Sequence, residues 1–227
     1  TALIGPDQWQ ATDQVHSINF SIPGSGNVFD HKELLQRIAR ADLGWSDDNS
    51  LFSVECDTCK VSVWYAAEHQ IMRGFTTDIQ PRFDVSLKQP GSLDCAFGLM
   101  MDVVEFVSAV TGRLVEPTDI FLWRGQPPDS EAKDWDRTIG PYACHFLWLR
   151  PMADAEERGY LGLAYAAWDS EEVAALRDAL TEWLRRADNW HNANQLMMQA
   201  LRFRKVLTPE RMLNASKWLE EIPGTGS

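Results

Sequence analysis

Apolar residues change their period along this chain, and that change limits the folds open to it. From Leu51 to Leu87 they alternate: Phe52, Val54 and Cys56, then Cys59, Val61, Val63 and Tyr65. A period of two sends one row of side chains into a core and the other away from it, as in a half-buried strand. From Leu93 the spacing becomes helical, with Ala96, Phe97, Met100, Val103, Val104, Val107 and Val110 continuing the stripe. Ile18, Phe20 and Ile22 repeat the strand pattern, and Val173, Leu176, Leu180 and Leu184 repeat the helical one. The expected fold class is therefore α+β. We expect an antiparallel, strand-rich, sandwich-like body with a buried central helix, followed by a C-terminal helical segment.

Punctuation residues place the boundaries. Pro23-Gly24-Ser25-Gly26-Asn27 ends the first strand, Val15 to Ile22, and Asp57-Thr58 forms a hairpin turn. Ile71 to Thr77 and Arg82 to Leu87 read as two further strands. Asp30, with Glu33 as its capping-box partner, opens a short helix bearing Leu34, Leu35 and Ile38. Ser92 to Thr111 is the central helix, with Gly112 as its C-cap. Ile120 to Arg124 and Tyr142 to Leu149 are strands joined by a polar loop, Gly125 to Gly140. After Asp169, which forms a capping box with Glu172, helices run through Leu196, Met197, Ala200 and Leu201. Thr208-Pro209-Glu210 starts another, bearing Met212, Ala215 and Leu219. We divide the chain into a strand-rich domain, 1–168, and a helical segment, 169–227, packing on it or on a partner.

Charge separates the same two parts. The 227 residues carry 33 acidic and 21 basic side chains, a net charge of −12. From Ser170 to Ser227 eight acids balance eight bases, so the whole surplus lies before that stretch. An acidic body opposes bulk binding to nucleic acid or anionic membrane, both of which need a basic surface. No apolar run is long enough to span a bilayer, and no signal peptide is visible at the first residues. Four cysteines are too few for a disulfide scaffold, which points to a reducing, cytoplasmic setting.

Candidate chemistry is sparse. Cys56-x-x-Cys59 has the spacing of half a zinc site, though Cys59 is in phase with the inward Val61 and Val63. Arg186 and His191 have a spacing able to hold and cleave an RNA phosphate at a helix junction. Ten tryptophans are many for this length, and a strand-borne or loop tryptophan stacks well on sugars or bases. Trp135, Trp123 and Arg124 are the ligand-binding candidates. The acid pairs Asp47-Asp48 and Asp134/Asp136 lie in polar loops, where solvated turns account for them. The chain has no nucleophile elbow, no phosphate-binding glycine loop and no His-Glu-x-x-His, so no cofactor is expected.

Several features together resemble the N-terminal domain of ApeA-type HEPN-containing anti-phage proteins. They are the helix Leu93–Val110 leading into Thr111-Gly112-Arg113-Leu114-Val115, the strand Ile120-Phe121-Leu122, the aromatic strand near Trp148, and the exit from Trp183 through Trp218-Leu219-Glu220. The resemblance covers about two thirds of the chain and rests on the order of elements. It implies a sensing or regulatory part of a larger bacterial defence protein, with the terminal helices leading into a ribonuclease bundle. Ala187 stands where that family's motif usually has a polar residue after the arginine, so catalysis is not carried over. The leading expectation is a non-catalytic binding or regulatory domain working through protein contacts, or self-association, at its C-terminal helices. The alternatives are a carbohydrate-binding or glycoside-acting protein using tryptophans and loop carboxylates, and an RNA-processing HEPN-like module.

Overall fold

A computed structural model describes residues 2–4, 9, 12–23, 25–29, 49–70, 76–126, 140–146, 170–202, 213 and 217. In chain order its elements are β1 (Ala2–Ile4), β2 (Val15–Ser21), β3 (Ser50–Glu55), β4 (Cys59–Gln70), β5 (Thr76–Gly91), α1 (Leu93–Thr111), β6 (Thr118–Trp123), β7 (Tyr142–Phe146), α2 (Ser170–Arg186) and α3 (His191–Arg202). The helix expected around Asp30 and most of that expected after Thr208 lie outside the described residues, as do 127–139 of the polar loop.

The seven strands among the described residues join one antiparallel sheet in the order β1-β7-β6-β2-β5-β4-β3. The α+β class is thus realised as a single sheet, and its apolar face is closed by helices. Cross-strand register explains that face. Ile18 sits opposite Val85 and Leu122, Phe20 opposite Phe83, Val61 opposite Val54 and Val85, and Val63 opposite Phe52 and Phe83. These aligned apolar pairs are the unit from which a sheet gains stability. Phe20 and Phe83 stack with ring centroids 5.4 Å apart, and Phe29 meets Phe83 edge-on at 5.3 Å. Tyr65 uses its hydroxyl to donate to the Phe29 carbonyl, which lets the ring stay buried.

β4 and β5 form a long ribbon, paired from Cys59↔Leu87 to Gln70↔Thr76. The expected strand Arg82 to Leu87 falls inside β5, and residues 71–75 of the strand expected from Ile71 to Thr77 lie outside the described residues. Pro81 lies inside β5. It is tolerated because it falls one residue beyond the last β2 pair, Ser21↔Arg82, where β4 is the neighbouring strand among the described residues. The Asp57-Thr58 turn is present, with the Cys56 N–H donating to the Cys59 carbonyl at 2.8 Å.

Helix α1 is the buried central helix. The Ser92 hydroxyl caps it by accepting from the Cys95 N–H at 3.2 Å. Gly112, at φ 62°, ends it, with the N–H of Arg113 returning to the Ser108 carbonyl at 3.1 Å. Ala96, Met100, Val103, Val104 and Val107 are all buried against the sheet. Helix α2 adds Leu176 and Leu180 to the same core, with Val173, Trp183 and Leu184 partly buried beside them. Its apolar stripe is therefore spent on the body of the chain. Helix α3 buries Ala193, Asn194 and Met197. No described helix is long and apolar enough to cross a membrane.

Candidate functional site

The opposite face of the sheet carries the polar members of the alternating strands. Three cross-strand rows run over it: Trp123–Ser17–Ser86–Lys60, Phe121–Asn19–Asp84–Ser62, and Ser21–Arg82–Trp64. Polar residues on an outward face are ordinarily solvated. Here two of them are closed off, Ser17 at 0% exposed and Ser21 at 7%, while Asn19, Arg82, Asp84 and Ser86 are half-buried. Lys60, at the far end of its row, is exposed, so the face runs from a buried centre to an open edge.

At that centre lies Asp84, with Phe83 and Val85 on either side of it in β5 holding the strand to the core. Its carboxylate accepts from the Ser86 hydroxyl at 2.8 Å. Burial pushes the Asp84 carboxyl above its ordinary range, opposed by that hydrogen bond and by the charges of His16 and Lys60. Ser17 is directly opposite Ser86 and diagonal to Asp84 across β2 and β5. A register shift between Val15 and Ser17 sets the course of β2 here and leaves His16 close enough to Asp84 for their charges to interact. Two buried atoms in this group, Ser17 Oγ and His16 Nδ1, have no hydrogen-bond partner. The arrangement is not a hydrolytic triad, because no carboxylate bonds to His16 Nδ1 to orient its ring. Arg82 beside it is engaged, donating to Ser21 Oγ at 2.8 Å and to the Asp119 carbonyl at 3.3 Å, with its guanidinium 5.8 Å from the Phe121 ring.

A second polar group lies in the seam between α1 and the α2–α3 junction. Burial, then the charge of Asp188, push Asp102 up to about 6 against the pull of His191. Burial, then the charge of Asp102, push Glu105 up to about 7 against a hydrogen bond from Asn194. Trp183 Nε1 donates to the Asp102 carbonyl at 3.0 Å, and its ring meets Phe106 and Trp190 edge-on at 5.9 and 6.0 Å. The groups of the seam answer one another: Asn194 meets Glu105, and His191 faces Asp102.

The residues singled out from sequence fall in several places. Trp123 lies on the polar face, in the row of Ser17. Arg124 is held in the body: it pairs with Asp13 and lies 5.1 Å from the Trp9 ring and 4.7 Å from the Tyr142 ring. Trp135 lies outside the described residues. Arg186 donates to Glu182 at 2.8 Å and stacks 5.3 Å from Trp190, while His191 opens α3 beside Asp102. A guanidinium so occupied, with carboxylates around the histidine, opposes an RNA phosphate. Cys59 is fully buried, and burial pushes its thiol up to about 12; burial also raises Cys56. Such thiols are poor thiolates and poor nucleophiles. Among the described residues no group of three or more His, Cys, Asp or Glu side chains gathers as a metal site.

Sequence reasoning passed over His16, Ser17, Asp84, Asp102 and Glu105. Ser17 and Asp84 hold the outward phase of alternating strands, so nothing local distinguishes them from solvated residues. Asp102 and Glu105 interrupt the apolar stripe of the central helix three residues apart, which is the one signal that was available. Compared with protein-family models, with curated proteins and with solved structures, the chain matches none.

Proposed function

We propose that this chain is a non-catalytic binding domain that holds a small polar ligand against the polar face of its sheet. One observation carries the reading: two hydrogen-bonding atoms, Ser17 Oγ and His16 Nδ1, are buried without partners beside a desolvated carboxylate. Each such group costs roughly 1–3 kcal/mol. Two of them are a large fraction of the ~5–15 kcal/mol by which domains are ordinarily stable. A site that spends stability in this way gains it back when a ligand completes the hydrogen bonds. Among the described residues no carboxylate orients His16 as a base, which favours binding over turnover at this face. A sensor-like role of this kind is also what the resemblance to ApeA-type N-terminal domains implies.

Self-association through α2 is not favoured, since Leu176 and Leu180 already pack in the core. A thermal-shift screen of small polar compounds tests the proposal on the wild-type chain, Ser17→Ala and Asp84→Asn. Compounds that raise the wild-type Tm and lose that effect in both variants are the expected result. A screen in which every stabilising compound acts equally on all three proteins would sink it.

A further inference from the structure

Resting on that binding site, we infer that its ligand is a neutral polyhydroxyl compound, presenting adjacent hydroxyls of the kind a saccharide carries.

The charge balance of the face selects a neutral partner. Asp84 is the acid at its centre, His16 lies close enough for their charges to interact, and Lys60 and Arg82 flank it in neighbouring rows. An anion would meet the Asp84 carboxylate, and a cation would meet Lys60 and Arg82. A neutral ligand leaves this balance undisturbed. Desolvation magnifies the penalty for the wrong charge at a buried site.

The hydrogen-bonding inventory then selects hydroxyls. Asp84, when ionised, is an acceptor only, and already receives one bond from Ser86. Ser17 Oγ both donates and accepts, and His16 Nδ1 does either according to tautomer. A fixed acceptor beside two adaptable groups fits a ligand whose groups each donate and accept, as a hydroxyl does. A diol donates one O–H to Asp84 and exchanges the second hydrogen bond with Ser17 or His16. The two unpartnered atoms are adjacent in sequence, and Ser17 is one cross-strand diagonal from Asp84. Such diagonals bring Cα atoms within ~7–8 Å, close enough for the two side chains to converge on one ligand. Trp123 ends the row of Ser17, setting an indole beside the site as sugar-binding surfaces commonly do.

The test is NMR on the intact chain, reading saturation transfer to the ligand and amide shifts at His16, Ser17 and Asp84. The probes are glucose, galactose, mannose and myo-inositol, set against methylammonium chloride and sodium phosphate. The expected result is saturation of one or more polyols with shifts at those three residues, and binding about tenfold weaker in Asp84→Asn, the difference between a charged and a neutral acceptor. Ser17→Ala serves as the second variant, and circular dichroism confirms that both remain folded. Shifts caused only by methylammonium or phosphate at the same residues overturn the polyol assignment and leave the binding face standing. No shift at those residues with any probe overturns both. Polyol binding that survives unchanged in both variants places the sugar elsewhere and also refutes the inference.

Discussion

Replacing Glu105 by glutamine is expected to stabilise the protein above neutral pH and to leave it unchanged in acid. Glu105 titrates near 7 in the folded chain, against an ordinary value of 4.5. Between those values the folded form keeps a proton that the unfolded form has lost. The stability this confers is complete below about 4.5 and disappears as the pH rises through 7. A displacement of 2.5 pH units (7 less 4.5) corresponds to about 3 kcal/mol at ~1.4 kcal/mol per unit. The seam is only partly closed to solvent, which reduces this to roughly 1–3 kcal/mol. Glutamine keeps an oxygen to accept from Asn194 and removes the charge that Asp102 opposes. Urea unfolding from about pH 4 to pH 8 measures the effect through the midpoint at constant slope. Wild-type stability should fall across that range, and Glu105→Gln should flatten the decline above about pH 5. A residual slope from Asp102, itself raised to about 6, should remain. Parallel curves for the two proteins, or a variant less stable than wild type at alkaline pH, would refute the reasoning.

Other predictions concern the frame around the site. Leu180, 1% exposed, packs from α2 into the main core, so Leu180→Ala should cost about 2–5 kcal/mol in urea unfolding. If it instead weakens self-association and leaves unfolding unchanged, α2 is an interface and not part of the body. Gly140→Ala places a methyl 2.8 Å from the Leu122 carbonyl and 3.0 Å from the Trp123 ring, at a φ of +133°. Backbone strain of about 1–3 kcal/mol adds to that clash, so a fall in Tm is expected and an unchanged Tm would contradict the packing described.

Much of the frame was legible because it depends on local rules. Period-two patterning located the strands around Ile18, Val61 and Val85, and the helix expected from Ser92 to Thr111 with Gly112 as C-cap is α1 to within one residue. Two things were not legible. The ribbon of β4 and β5 runs through Pro81, which reads as a break until the end of β2 explains why it is tolerated. The polar face was also hidden. An alternating strand states which residues face away from the core, and burial of that second face is a tertiary property that leaves no mark on the pattern. Asp84 therefore reads as solvated in the sequence, whereas Arg124, which reads as a ligand-binding candidate, has its guanidinium beside the contacting rings of Trp9 and Tyr142.

The most direct measurement is a crystal structure of the chain grown with the polyol that binds most tightly. The account predicts ligand density on the polar face, with hydroxyls within hydrogen-bond distance of Ser17 Oγ, His16 Nδ1 and the Asp84 carboxylate. Ordered water alone bridging those three groups, with the polyol absent or bound elsewhere, would contradict it.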